Sequence, residues 1–239
     1  MFGYYYGFDL TYLVLVLPCV ILAMIASAKV NSTFKRYSQV HSLRRISGAQ
    51  AAQRVLSANG VSGVRIERVS GNLTDHFDPK TNVIRLSDSV YDSTSVAAIG
   101  VACHEAGHAV QYAHHYAPIK LRAAIIPITN IGSKLAMPLI LIGLLLSFGE
   151  SVSYGFVYAG IACFSLSLVF QLVTLPVEFN ASRRAMNAID DGNILTEEEQ
   201  KGARKTLTAA AMTYVAATAV ALAQLLRLLM IFGGRRRDD

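Results

Sequence analysis

The chain contains no tryptophan, and its three cysteines, Cys19, Cys103 and Cys163, form no close pair. Such an odd, scattered set in apolar context gives neither a disulfide framework nor a thiolate zinc site. Charge is also scarce. Asp, Glu, Lys and Arg make up 16% of the 239 residues, against roughly 25% in an ordinary soluble domain. Internal repeats and low-complexity tracts are lacking. What is abundant is apolar surface: 53% of residues are hydrophobic and the mean hydropathy is +0.39. This balance excludes a disordered chain and argues against a soluble globular one. It fits a membrane protein with one modest water-exposed part. The formal charge of +6 can signal nucleic acid or membrane topology, and the placement of the positives decides between them.

Four segments are long enough to cross a bilayer, which takes about 20 mostly apolar residues. They are Leu10–Ala28, Ala123–Gly149 with Lys134 inside it, Ser151–Val177, and Thr206–Leu226, which is extended by a further apolar run to Phe232. The first could be a signal peptide, because Ala26-Ser27-Ala28 imitates a cleavage site. No Lys or Arg precedes Lys29, however, so the basic n-region is missing and a retained anchor is expected. Tyr4, Tyr5, Tyr6 and Phe8 are expected to form an aromatic belt at its outer end. Lys134 is expected to face a helix bundle or to snorkel.

Twelve Lys and Arg fall in residues 29–122 and five in 178–205, whereas the loop between the second and third spans carries Glu150 and no positive charge. Positive-inside sorting places 29–122 and 178–205 in the cytoplasm and the N-terminus outside. A full fourth span puts Arg235, Arg236 and Arg237 on the wrong side, which leaves open whether Thr206–Phe232 crosses completely. The positives therefore read as topology or headgroup signals, with no nucleic-acid partner expected.

The expected organisation is an anchor over 1–28, a basic region with a small sheet and a helix over 29–122, a transmembrane hairpin over 123–177, a helix and acidic turn over 178–205, and a last apolar helix and basic tail over 206–239. Ile46–Asn59 reads as an amphipathic helix with Ala51, Val55 and Leu56 on one face and Gly60 as its stop. Its basic neighbours Arg44, Arg45 and Arg54 either rest on anionic headgroups or belong to a solvated face. Residues 61–87 read as two or three short strands, with a turn at Asp78-Pro79-Lys80. Asp92 and Ser93 form an N-cap cluster for a helix over Ser95–His115, which Pro118 ends.

Inside that helix stands His104-Glu105-Ala106-Gly107-His108, an H-E-x-x-H. Residues i and i+4 share a helical face, so the two imidazoles can grip one metal ion while the Glu takes a proton from the attacking water. Unpaired His and Glu among Val101, Ala102, Ala109 and Val110 are otherwise costly. A zinc site of this kind needs a third protein ligand. No H-x-x-G-x-x-H extension follows, and His114 and His115 fall at the helix end as interfacial or structural residues. Glu178 is the better candidate. It follows the third span, so it lies on the same side of the membrane as His108. Asp190 and Asp191 belong to a D-D-G-N turn, and Glu197–Glu199 after Thr196 form a capping box and an acidic first turn.

These residues resemble the bacterial membrane-bound neutral zinc metallopeptidases of the YugP type. The likeness covers nearly the whole chain. A-I-G-V-A-C-H-E-A-G-H-A-V-Q and L-P-V-E-F-N-A-S-R-R-A are its specific motifs; K-V-N-S-T-F-K-R-Y, L-T-D-H-F-D-P and I-R-L-S support them. More distantly, the layout is similar to membrane gluzincins related to the heat-shock protease of bacterial inner membranes. In those proteins a transmembrane hairpin separates H-E-x-x-H from an E-x-x-A-D element; here Glu178, Ala181 and Ser182 match it, with Ser in place of Asp.

The resemblance implies a mainly α, multi-pass membrane protein with about four transmembrane helices and a small α+β zincin-like part built on the H-E-x-x-H helix and a short sheet. It implies one Zn2+ per chain on His104, His108 and Glu178, with Glu105 as general base, although imidazole–carboxylate sites accept several divalent ions. Asn180 or Ser182 is a candidate for orienting a ligand. His76, Tyr112, Asn180 and Arg184 are candidates to stabilise the oxyanion. The strand Val83, Ile84, Arg85, Leu86, Ser87 is expected to pair with an extended peptide. The implied activity is an endopeptidase of the plasma membrane, its site facing the cytoplasm, acting on protein segments near the bilayer surface. The sequence leaves the oligomeric state open. A catalytically idle membrane scaffold with the same fold, or a small transporter resting on Lys134 and Arg227, are the competing readings.

Overall fold

The structure is a computed structural model and describes residues 10–146 and 152–233. The Tyr4, Tyr5, Tyr6 and Phe8 belt, Glu150 and the Arg235–Arg237 tail lie outside the described residues. A π-helical turn, Tyr12–Val16, leads into α1 (Leu17–Tyr37). There follow α2 (Gly48–Ala58), β1 (Arg65–Val69), β2 (His76–Asp78), β3 (Val83–Ser87), α3 (Val96–Ala113), α4 (Ala117–Leu145), α5 (Val152–Asp191) and α6 (Glu197–Gly233). Four helices are long and apolar enough to cross a membrane: Tyr12–Tyr37, Ala117–Leu145, Tyr154–Asp191 and Glu197–Gly233. The protein is a mainly helical, multi-pass membrane protein with a small sheet, as the sequence implies.

The chain divides into two compact units. One comprises residues 26–120 and 175–213. Its core gathers Ala51, Ala52, Val55 and Leu56 of α2, Ile84 and Leu86 of β3, the apolar residues of α3, and Ala185, Ile189 and Leu207. Helix α2 starts in a capping box, with Gln50 N donating to Ser47 Oγ (3.2 Å) and Ser47 N to Gln50 Oε1 (2.9 Å). Its apolar face is buried in this core, so that face is not available to a bilayer. Arg54 stays exposed on the opposite side.

The sheet has the order β1-β3-β2, with β1 parallel and β2 antiparallel to β3. Strand β3 is flanked on both edges and reads V-I-R-L-S with four of five residues buried, the near-continuous run expected of a covered central strand. The 70–75 link crosses the far end of β3. There Asp75 accepts from Ser87 N (2.8 Å) and Ser87 Oγ (2.9 Å), closing the edge beyond the last β2 pairing.

Helix α3 is capped by Ser95, whose hydroxyl accepts from Ala98 N (3.2 Å). The cap is not the expected Asp92–Ser93 cluster: Ser93 Oγ donates to Ser95 Oγ (3.0 Å), and Asp92 pairs with Arg68. The helix ends at His114, and His115 takes a left-handed φ of 55°. Pro118 does not terminate α3. It sits in the first turn of α4, where its missing N–H leaves no helical bond unmade.

The other unit comprises the described parts of 1–25, 121–174 and 214–239. Ile140, Val157, Ile161, Leu228 and Phe232 form a small buried cluster in it. At Gly160 an added Cβ would lie 2.8 Å from Ala136 O, so glycine permits this close helix contact. Lys134 is exposed and does not face a bundle interior.

Candidate metal centre

The periodicity of α3 turns His104 and His108 to one face, where their rings meet edge to face at 4.7 Å. That face meets the 175–191 part of α5. The approach depends on Gly107, where a Cβ would lie 2.7 Å from Ala181 O. Glu178, one turn before Ala181, thereby reaches both imidazoles. Its Oε2 is 3.3 Å from His104 Nε2 and 3.5 Å from His108 Nε2. The three side chains offer ligand atoms all within 4.8 Å of one another. Ligands bound to zinc tetrahedrally at about 2.0–2.1 Å stand roughly 3.3 Å apart, so the His–Glu separations match the edge of such a polyhedron. Glu178 is 2% exposed. A carboxylate so deeply buried needs opposite charge or hydrogen-bond donors; the two imidazoles can donate to it, and a cation at this point would supply the charge.

The remaining nitrogens are held from behind. Gln111, fully buried, donates through Nε2 to Val177 O (2.8 Å) and Asn180 Oδ1 (2.9 Å). A main-chain carbonyl only accepts, so the amide orientation is fixed, and Gln111 Oε1 faces His108 Nδ1 at 3.0 Å. In the neutral ring the His108 proton therefore sits on Nδ1, leaving Nε2, the nitrogen that faces Glu178, free as a ligand atom; the charged ring donates to Gln111 and to Glu178 together. Arg184 Nε donates to the same Asn180 Oδ1 (2.9 Å). Ser182 Oγ lies 3.1 Å from His104 Nδ1 and can accept its proton, leaving Nε2 of His104 turned to the same point. The outer partners orient both rings so that each offers Nε2 to the same point.

Burial acts most strongly on His108 and disfavours its charged form. The Glu178 hydrogen bond, the charges of Glu105 and Glu178, and the Gln111 bond outweigh it and hold the imidazole above its ordinary pKa. Glu105 is buried on the same helix, and its charge acts on both His108 and Asp75. Asp75 is pushed up, first by burial and also by Glu105, against the lowering effect of its Ser87 bonds.

The structure thus brings together His104, Glu105, His108 and Glu178, with Ser182 behind His104 and Asn180 linked through Gln111. It does not bring in the rest. His76 Nδ1 bonds Thr74 O at 2.9 Å, and exposed Tyr112 packs edge-on against Phe77 at 6.0 Å. Arg184 is committed to Asn180. The expected substrate strand Val83–Ser87 is corrected. It pairs with β1 along its whole length and with β2 over Val83–Arg85, and Asp75 holds Ser87. No edge is left there for a peptide; the outer edge of the sheet on this side belongs to β2. Sequence reasoning missed Gln111 and Asp75. The first could have been found as an amide one turn after His108 in an otherwise apolar helix, the second only from the sheet topology.

Two helix-borne imidazoles and a carboxylate from a second helix, with buried Glu105 between the two histidines in sequence, form a cluster that could hold one metal ion. The chain belongs to the family described as "Putative neutral zinc metallopeptidase", whose model matches residues 12–233. It is 44% identical over 218 residues to "Putative membrane protease YugP" of Bacillus subtilis (strain 168), a match covering 91% of this chain and 95% of that protein. No solved structure matches it.

Proposed function

We propose that the protein is a membrane-embedded, gluzincin-like zinc endopeptidase in which His104, His108 and Glu178 hold one Zn2+ and Glu105 is the general base. The observation that carries this reading is the convergence of the three ligands, with both His–Glu178 separations of tetrahedral size and Gln111 and Ser182 orienting the imidazoles. When bound, zinc supplies Lewis acidity toward the scissile carbonyl and toward the attacking water. Glu105 takes the proton from that water and returns it to the leaving amine. Gln111 and Ser182 hold both rings with Nε2 toward the metal position, and Gly107 keeps α3 close enough to α5 for Glu178 to reach them.

An extended substrate pairs with the outer edge of β2, the free edge beside α3. His76 on that strand and Tyr112 packed against it are the remaining candidates for the oxyanion, since Asn180 and Arg184 are engaged with each other and with Gln111. The Ser151–Val177 run makes about 40 Å of helix against a hydrocarbon core of about 30 Å. Glu178 directly follows it, which supports a site near the bilayer surface and substrates that are membrane proteins or their ends. The distribution of Lys and Arg supports the cytoplasmic side.

The test is to purify the wild type and Glu105→Gln in detergent, measure bound zinc and follow cleavage of a panel of membrane proteins. Both proteins are expected to hold zinc, with cleavage only by the wild type. Equal cleavage by the two would remove Glu105 from its role.

A further inference from the structure

Between Asp9 and Glu67 the chain carries no acidic residue, whereas Lys29, Lys35, Arg36, Arg44, Arg45, Arg54 and Arg65 fall in that interval. Lys35 and Arg36 lie in the last turn of α1, the end of its candidate span. The segment that follows makes a tight turn over residues 42–45, closed by Arg45 N donating to Ser42 O (3.1 Å). Arg45 takes a left-handed φ of 54° to complete it. Leu43 and Arg44 occupy the two corner positions, and Leu43 is 80% exposed. Val40 beside it is 43% exposed, and Lys35, Arg36, Arg44 and Arg45 are all exposed.

A large apolar side chain held out at a turn corner costs free energy in water unless something covers it. The turn is not loose. Ser42 N donates to Thr94 O (2.9 Å), Val96 N to Val40 O (2.8 Å), and Leu43 N to Glu199 Oε1 (2.7 Å). Glu199 spends its other oxygen on Thr196 N (2.9 Å), and Glu198 in the same helical turn is paired with Lys201 (2.7 Å). The turn is therefore fixed to the start of the helix that bears His104 and His108. It presents one exposed leucine followed by Arg44 and Arg45, a few residues beyond the end of a candidate membrane span that closes with Lys35 and Arg36.

We propose that the Leu43–Arg45 turn is an anionic-lipid contact. Leu43 enters the headgroup region of the membrane that α1 leaves, and Lys35, Arg36, Arg44 and Arg45 engage lipid phosphates. Charge complementarity and continuity with the candidate span select a lipid surface as the occupant. Interfacial binding combines buried apolar area with attraction to anionic lipid, and this turn offers both. The consequence is that anionic lipid sets the depth and tilt of the N-terminal end of α3. The inference goes beyond the peptidase reading and does not depend on it.

The absence of tryptophan allows a direct test. The Leu43→Trp protein carries a single reporter at the turn and is reconstituted into vesicles of phosphatidylcholine alone or with about 30% phosphatidylglycerol. With the anionic lipid, emission is expected to move to shorter wavelength and quenching by the neutral quencher acrylamide to fall by about half. Raising salt to about 0.5 M should reverse the change in the same protein, and Arg44→Gln/Arg45→Gln should abolish it with helical content unchanged. Identical emission and quenching in the two vesicles would overturn the proposal. So would protection of the reporter by soluble polyglutamate but not by phosphatidylglycerol, which would mark the turn as a site for acidic protein.

Discussion

At the residue scale, the centre depends on atoms that never touch the ion. Gln111 makes three hydrogen bonds, using both amide N–H groups, and the third, from its oxygen, decides which nitrogen of neutral His108 carries the proton. Gln111→Leu is expected to lower zinc affinity about 10–100-fold, measured by competition with a chromogenic chelator, while Ser182→Ala, which removes one bond to His104, should act in the same direction. Loss of zinc from neither variant would mean that the imidazoles are held by other contacts. Protons compete with the metal at the same atoms. His108 is held above its ordinary value near 6.5, so its imidazolium stabilises the metal-free fold below that value, and this contribution is lost as pH rises through the folded pKa. Zinc requires the neutral ring. The rise in melting temperature on adding zinc should therefore be small at acid pH and grow on passing above the raised His108 value, as thermal melts at a series of pH values would register.

At the scale of elements, two helices must approach closely enough for one carboxylate to reach two imidazoles. Gly107 makes that contact with Ala181 possible. Gly107→Ala puts a methyl group against backbone, which is expected to cost about 1–3 kcal/mol and to weaken zinc binding, although no ligand is altered. A denaturation curve and a zinc titration on the same preparation measure both effects. Unchanged values for each would show that α3 and α5 can separate without disturbing the site. Much at this scale is legible in the sequence, because His104 and His108 are tied by one helical period and Glu178 stands at a position the apolar runs bring to the same side. The pairing order of the strands is not legible. V-I-R-L-S reads as a strand, but only the β1-β3-β2 order reveals that it is central and closed, and that β1 and β2 are the edge strands. The start of α3 is legible to within a residue, but its cap is not, because Asp92, Ser93 and Ser95 are all cap-forming residues and local chemistry alone does not choose among them.

At the scale of the whole molecule, the charge surplus becomes a statement about sidedness. Seventeen of the 22 Lys and Arg fall in 29–122 and 178–205, the stretches that also hold His104, His108 and Glu178. Ser57→Cys and Asp191→Cys, both at exposed positions, are expected to resist a membrane-impermeant maleimide in intact cells and to react once the membrane is opened. Labelling of either in intact cells would invert the topology. The four apolar helices could be read directly from composition. Hydropathy does not mark the helix ends, which lie in polar stretches; the capping box at Thr196 with Glu197–Glu199 does mark the start of α6, whereas the start of α4 at Ala117 is not legible.

The central claim is that two imidazoles of α3 and one carboxylate of α5 hold zinc. X-ray absorption at the zinc edge of the purified protein tests it most directly. The account predicts a shell of nitrogen and oxygen neighbours at about 2.0–2.1 Å with imidazole scattering and no sulfur, and loss of stoichiometric zinc in Glu178→Ala. A sulfur shell at about 2.3 Å, or a spectrum left unchanged by Glu178→Ala, would contradict it.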